Sequence, residues 1–197
     1  MRPTRVRFTG FDGPNMTPIW VIMGTNALAM IAYTINPTAV VANFGLRPDM
    51  VGEQPWTLLT SMFVHGGTGH ILMNMLMLYF FGRFVLGLLG ENRFLLIYFV
   101  GGLAGSLLFI LIGEPGARVI GASGALYGVM GTLAVLQPRI KVLVFFMIPV
   151  DLWLVVVAGG VLLRQPDVAW EAHLGGLALG LVTGFYFRKK ERGSYWG

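Results

Sequence analysis

The sequence predicts an all-α, polytopic membrane bundle of six transmembrane helices. Hydrophobic residues make up 55% of the 197 positions and charged ones only 12%, too few charges to cover a soluble domain of this size. Apolar runs near the ~20-residue length of a bilayer crossing recur along the chain. Lys and Arg are segregated between alternate connections, as the positive-inside rule requires. The expected division is a cytoplasmic N-terminal tail over 1–16, one bundle over 17–188 and a cytoplasmic C-terminal tail over 189–197, with no internal repeat. Cysteine is absent, which excludes disulfides, thiolate metal sites and cysteine nucleophiles.

The tail carries Arg2, Arg5 and Arg7 among turn formers. The first span runs from Pro18 to Ile35, too long for a signal h-region and without a small-residue cleavage site, so it reads as an uncleaved signal-anchor. Residues 36–68 form a connection rich in Pro, Gly and Asn. Inside it the amphipathic patch Trp56 to Val64 suits the membrane interface. Five further spans are expected at His70–Phe84, Phe94–Ile112, Ser123–Leu136, Val142–Leu163 and Ala172–Phe187.

With the N-terminus inside, the inner segments hold eleven basic residues (Arg2, Arg5, Arg7, Arg83, Arg93, Arg139, Lys141, Arg188, Lys189, Lys190, Arg192) and the outer loops three (Arg47, Arg118, Arg164). Both termini are therefore expected in the cytoplasm, in a multi-pass protein of the cell membrane. The net charge of +5 follows from topology and implies no nucleic-acid partner.

Rare polar side chains then mark the interior. Asn26, His65, His70, Asn74, Asp151, His173, Ser123 and Tyr127 fall within or at the edge of spans, and they include all three histidines. Such groups usually face a bundle interior or a water-filled cavity. Measured from Arg83, Arg139 and Arg188 as inner markers, His70, Ser123 and His173 stand about 20, 24 and 22 Å up their spans. In a core about 30 Å thick they share one layer below the outer surface.

The octapeptide Gly121-Ala-Ser-Gly-Ala-Leu-Tyr-Gly128 opens the fourth span. By itself it also fits a small-residue packing surface. At a helix start, however, Ser123 has free backbone N–H groups and the positive dipole end beside it. Tyr127 lies one turn on, above it or packed on His173. His70 and Asn74 are at i and i+4 on one face, preceded by His65 in a glycine-rich turn.

Serine with histidine is a nucleophile and its general base. Asn74, His70 and the free N–H groups at Ser123 form a plausible oxyanion hole. No carboxylate shares the layer to orient the base as in a triad, and Glu171 sits too near the surface. A three-histidine metal site lacks both HExxH and an acidic ligand, so no metal or other cofactor is expected. A proton relay lacks the carboxylates it normally uses, apart from Asp151, which reads as a packing or bend residue beside Pro149. Asn26 is expected to hydrogen-bond a neighbouring helix.

These residues resemble the rhomboid intramembrane serine proteases. The resemblance rests on Gly121-Ala-Ser-Gly124 with Tyr127, on His70-Ile-Leu-Met-Asn74, and on Ala172-His173-Leu-Gly-Gly176-Leu-Ala-Leu-Gly180. It implies a rhomboid-like fold with Ser123 as nucleophile, His173 as base and Tyr127 stacked on the imidazole. Oxyanion contacts would come from His70, Asn74 and the Ser123 backbone, with His65 in a supporting place. Gly176 and Gly180 would form the seam of span six on span four. Departures are Thr57, where the family commonly has arginine, and Leu86, where an acidic residue is usual. Six spans without a sizeable soluble domain resemble the minimal prokaryotic form. The implied partners are single-span membrane protein substrates within the lipid bilayer; no oligomeric state is assigned. A catalytically silent, rhomboid-like membrane-protein binding factor is the competing reading.

Overall fold

The structure, a computed structural model, describes residues 13–114, 116–144, 147–159 and 168–193. Most of the N-terminal tail, Arg164, residues 160–163 of the expected fifth span and residues 194–197 lie outside the described residues. Helix α1 (Thr17–Ile35) is followed by the short α2 (Pro37–Phe44) and α3 (Thr57–Thr60). Helix α4 (Thr68–Met77) passes through a π-helical turn, Leu78–Gly82, into α5 (Arg83–Leu89). Then come α6 (Glu91–Ile112), α7 (Ser123–Leu136), strands β1 (Lys141–Val144) and β2 (Ile148–Asp151), α8 (Leu152–Val157) and α9 (Trp170–Gly193).

Among the described residues, three helical rods are long and apolar enough to cross a membrane: Thr17–Ile35, Thr68–Leu89 and Glu91–Ile112. Their outward faces keep large apolar side chains such as Val21, Leu72 and Leu107 exposed, as lipid-facing surface would be. Helix α7 is apolar but shorter, and from Gly124 to Val135 every residue is buried. A helix hydrophobic all round belongs in the middle of a bundle. Small residues place it there. An added Cβ at Gly128 would stand 3.1 Å from the Cα of Gly101 on α6, and one at Gly176 or Gly180 on α9 would collide with the carbonyl of Gly124 or Gly128. Helix α7 is thus pressed between α6 and α9, backbone against backbone. In lipid such contact supplies dispersion energy that apolar burial alone does not.

Three expectations need correction. The second span does not end near Arg83; the helix continues to Leu89, so Arg83 is an exposed position part-way along it and no depth marker. Residues 145–146 lie outside the described residues, and residues 142–144 and 147–151 are not helical. They form an antiparallel ribbon in which Val142 pairs with Val150 and Leu143 with Pro149, and helix resumes only at Leu152. A short apolar run has no periodicity to separate strand from helix, and a two-stranded ribbon tolerates proline because each strand keeps a free edge. Asp151 accordingly lies at the open end of the ribbon, 3.7 Å from Lys141, where the chain passes from strand into α8, and is no helix-packing group. Asn26 Nδ2 donates to the Ile22 carbonyl of its own helix at 2.7 Å, and its side chain also meets that of Tyr98 on the neighbouring α6.

The long connection is fixed above the bundle by side chain to backbone bonds. Trp56 Nε1 donates to the Asn43 carbonyl at 2.8 Å and Thr60 Oγ1 to that of Phe44 at 3.0 Å. Thr57 is buried and donates to the Gln54 carbonyl, so a hydroxyl holds the turn at the position of the first departure. Leu86, the second, is buried in the main core, where a carboxylate would be uncompensated. Residues Leu46 and Val119 exchange backbone hydrogen bonds of 3.0 and 2.9 Å and tie this connection to the segment before Ser123.

Candidate active site

Helix α7 begins at Ser123 because Gly121 turns the chain into it. Gly121 has φ +116°, a conformation open to glycine, and its N–H donates to the Ser61 carbonyl at 2.8 Å. A second reason for glycine is space. A Cβ there would stand 2.7 Å from Cε1 and Nε2 of the His70 imidazole. The next amide, Ala122 N–H, donates to Nε2 of His65 at 3.4 Å. Beyond them the N–H groups of Ser123 and Gly124 make no protein hydrogen bond among the described residues. They are the free donors that any helix start presents.

Ser123 Oγ lies 2.9 Å from Nε2 of His173, on the facing first turns of α9. Among the described residues His173 Nδ1 is buried without a partner, and none of them makes a third member of the pair. Glu171 is buried, contrary to its expected surface position, yet it makes no hydrogen bond to the imidazole. The His173 ring is instead held from its flat side by Tyr127, with centroids 4.3 Å apart and planes 25° apart. A neutral imidazole whose Nε2 accepts the serine proton must carry its own proton on Nδ1.

His70 and His65 meet edge to face at 4.8 Å. Gly66 N–H donates to His70 Nδ1 at 3.4 Å, so a neutral His70 carries its proton on Nε2, the nitrogen against Gly121. His65 has the opposite tautomer: Nδ1–H donates to the Phe63 carbonyl at 3.2 Å and Nε2 accepts from Ala122. The glycine-rich turn does not leave His65 loose; it is fully buried and clamps the backbone ahead of Ser123. Asn74 is buried, gives one Nδ2 proton to the His70 carbonyl at 2.8 Å and leaves Oδ1 unpartnered. It makes no bond to Ser123, so its second amide proton is the one free to reach a ligand. Gly176 and Gly180 lie on the α7–α9 seam beneath the pair.

The structure thus gathers Ser123, His173, Tyr127, His70 and His65 around one helix start, with Asn74 one turn below His70. Sequence reasoning did not single out Gly121 apart from its motif, nor the Ser61 carbonyl. A backbone acceptor leaves no trace in residue type. Among the described residues no group of three or more His, Asp or Glu side chains has the geometry to hold a metal.

Fold and site together define a multi-helix membrane protein with a serine hydrogen-bonded to a histidine at the mouth of a buried helix. The Rhomboid domain profile matches residues 52–190. The chain belongs to the rhomboid family. It is 36% identical over 146 residues to Rhomboid protein 1, mitochondrial, of Saccharomyces cerevisiae, covering 68% of this chain and 42% of that protein. It is 35% identical over 145 residues to RHOMBOID-like protein 1 of Arabidopsis thaliana, covering 68% and 35%. Rhomboid protease GluP of Bacillus subtilis is 29% identical over 164 residues, covering 82% of this chain and 29% of that protein. The matched region therefore spans less than half the length of each of these relatives.

Proposed function

We propose that the protein is an intramembrane serine endopeptidase that cleaves single-span membrane proteins near the outer face of the bilayer with a Ser123–His173 dyad. The observation that carries this is the 2.9 Å contact between Ser123 Oγ and His173 Nε2 beside unpaired backbone N–H groups. The family and its protease member GluP agree with it.

His173 Nε2 takes the proton as Ser123 Oγ bonds to the substrate carbonyl carbon. The carbonyl oxygen gains the negative charge and is met by the Ser123 N–H, His70 Nε2–H and the second Asn74 Nδ2 proton. The C–N bond then breaks, and the imidazolium gives its proton to the leaving amine. Water, deprotonated by His173, attacks the acyl-enzyme and frees Ser123. Without a carboxylate at Nδ1, orientation of the base falls to the Tyr127 stack and the α7–α9 seam.

Depth follows from length. Fourteen residues of α7 rise about 21 Å, less than the ~30 Å core, so a helix reaching one surface starts below the other. The excess of inner basic residues puts that sunken end toward the outside, with both termini cytoplasmic, in a cell membrane. A substrate helix must unwind to expose its peptide bond, so Gly near its outer end should favour cleavage, each by roughly 1 kcal/mol.

The test is incubation of purified protein, Ser123→Ala and His173→Ala with a panel of single-span substrates, with and without a chelator. Only the unaltered protein should cleave, and the chelator should change nothing. A silent binding factor would retain substrates equally in all three forms and cleave none. Turnover by Ser123→Ala would refute the serine mechanism.

A further inference from the structure

Helices α7 and α9 share a second polar contact far from the Ser123–His173 pair. Thr132 is fully buried, and its Oγ1 lies 2.9 Å from the Gly128 carbonyl of its own helix, 3.1 Å from the Gly180 carbonyl of α9 and 2.7 Å from Thr183 Oγ1. Thr183 Oγ1 is also 3.0 Å from the carbonyls of Leu179 and Gly180. Two hydroxyls bring two protons. If both pointed to carbonyls of their own helices, the oxygens 2.7 Å apart would repel with no proton between them. Every satisfactory arrangement therefore sends at least one hydrogen bond across the seam.

The seam needs such a bond. Its stripe is Gly124 and Gly128 against Gly176 and Gly180, with Gly184 beside Thr132. Glycine stripes bring backbones close but present no knobs, so they resist separation better than sliding or rolling. Thr132 follows Ser123 by nine residues, about 13.5 Å down the helix and roughly 180° around it. The two contacts stand at diagonally opposite corners of the stripe. Bonds so placed oppose both translation and rotation of α9, and hence any change in the Ser123–His173 distance. Among the described residues these are the two places where side-chain hydrogen bonds join α7 to α9.

We propose that Thr132 and Thr183 are positioning residues that set the register of α9 on α7 and so hold His173 in line with Ser123. The proposal rests on the dyad reading above. Its test compares Thr132→Val, which keeps shape and loses the hydroxyl, with Thr132→Ser, which keeps the hydroxyl. Turnover of a single-span substrate and the rate of Ser123 modification by a fluorophosphonate are measured for each, alongside thermal unfolding. Thr132→Val should lose on the order of 10-fold or more in kcat and in modification rate, with KM nearly unchanged, and Thr132→Ser should restore both. Should Thr132→Val fail to fold, Thr183→Val, at the half-buried rim of the seam, should show the same split in smaller measure, because Thr132 Oγ1 can still donate to the Gly180 carbonyl. Wild-type kcat in the valine variants, equal losses in valine and serine variants, or a defect confined to KM would overturn the proposal. If unaltered protein ignores the fluorophosphonate, or Ser123→Ala still turns over, the dyad itself fails and the register lock has nothing to position.

Discussion

The imidazole of His173 lies against the phenol ring of Tyr127, 4.3 Å between centroids and 25° from parallel. Among the described residues Nδ1 of His173 has no partner, so in the proposed dyad this stack would take the orienting place that a carboxylate fills in a triad. Tyr127→Phe keeps the ring and should stay within a few-fold of normal turnover. Tyr127→Ala frees the imidazole and should lower kcat by roughly 10- to 100-fold with a smaller change in KM, the scale of an ångström's misplacement. Steady-state kinetics of both variants check this; equal losses would show that the hydroxyl, not the stack, matters.

Asn74→Ala should depress turnover far more than apparent affinity, on the order of 10²-fold, since an oxyanion donor acts mainly in the transition state. A defect in KM alone would make Asn74 a binding group.

His65→Ala should lower both stability and activity. The residue is fully buried, and its loss leaves the Ala122 N–H and the Phe63 carbonyl without partners, each costing about 1–3 kcal/mol. Thermal unfolding together with turnover measures it. An unchanged unfolding temperature would contradict the clamp on the segment before Ser123.

Gly176→Ala should also be severe, because its Cβ collides with the Gly124 carbonyl and α9 must move away. The cost should be about 1–3 kcal/mol of stability, with loss of activity as the Ser123–His173 contact opens. Normal unfolding and turnover would contradict the close seam.

Much of the site was legible in sequence because its chemistry is spelled in side chains. Ser123 at a helix start, His70 and Asn74 on one face, and histidines in an apolar chain all carry signals. The bounds Ser123–Leu136 were readable because Gly121 precedes the helix and Gln137-Pro138 follows it. What escaped is of another kind. Arg83 sits on a helix that runs on to Leu89, since a long basic side chain can stay exposed while its helix continues. The ribbon of 141–144 and 148–151 hides in an apolar run. The clamp on the segment before Ser123 uses the Ser61 carbonyl, which no residue type announces.

Orientation can be read separately, since the chain has no cysteine to interfere. A cysteine at Glu53, exposed in the long connection, should react with a membrane-impermeant thiol reagent added outside cells, and one at Arg139, exposed before the ribbon, only after the membrane is opened. The reverse pattern would put the mouth of α7 on the inner side.

The central claim is that Ser123 is a nucleophile made reactive by His173. The most direct measurement is peptide mapping by mass spectrometry after reaction with a fluorophosphonate in lipid, for the unaltered protein and for His173→Ala. The account predicts a single adduct on Ser123 in the unaltered protein and none of comparable rate in His173→Ala. An adduct on another residue, or equal labelling of Ser123 without His173, would contradict it.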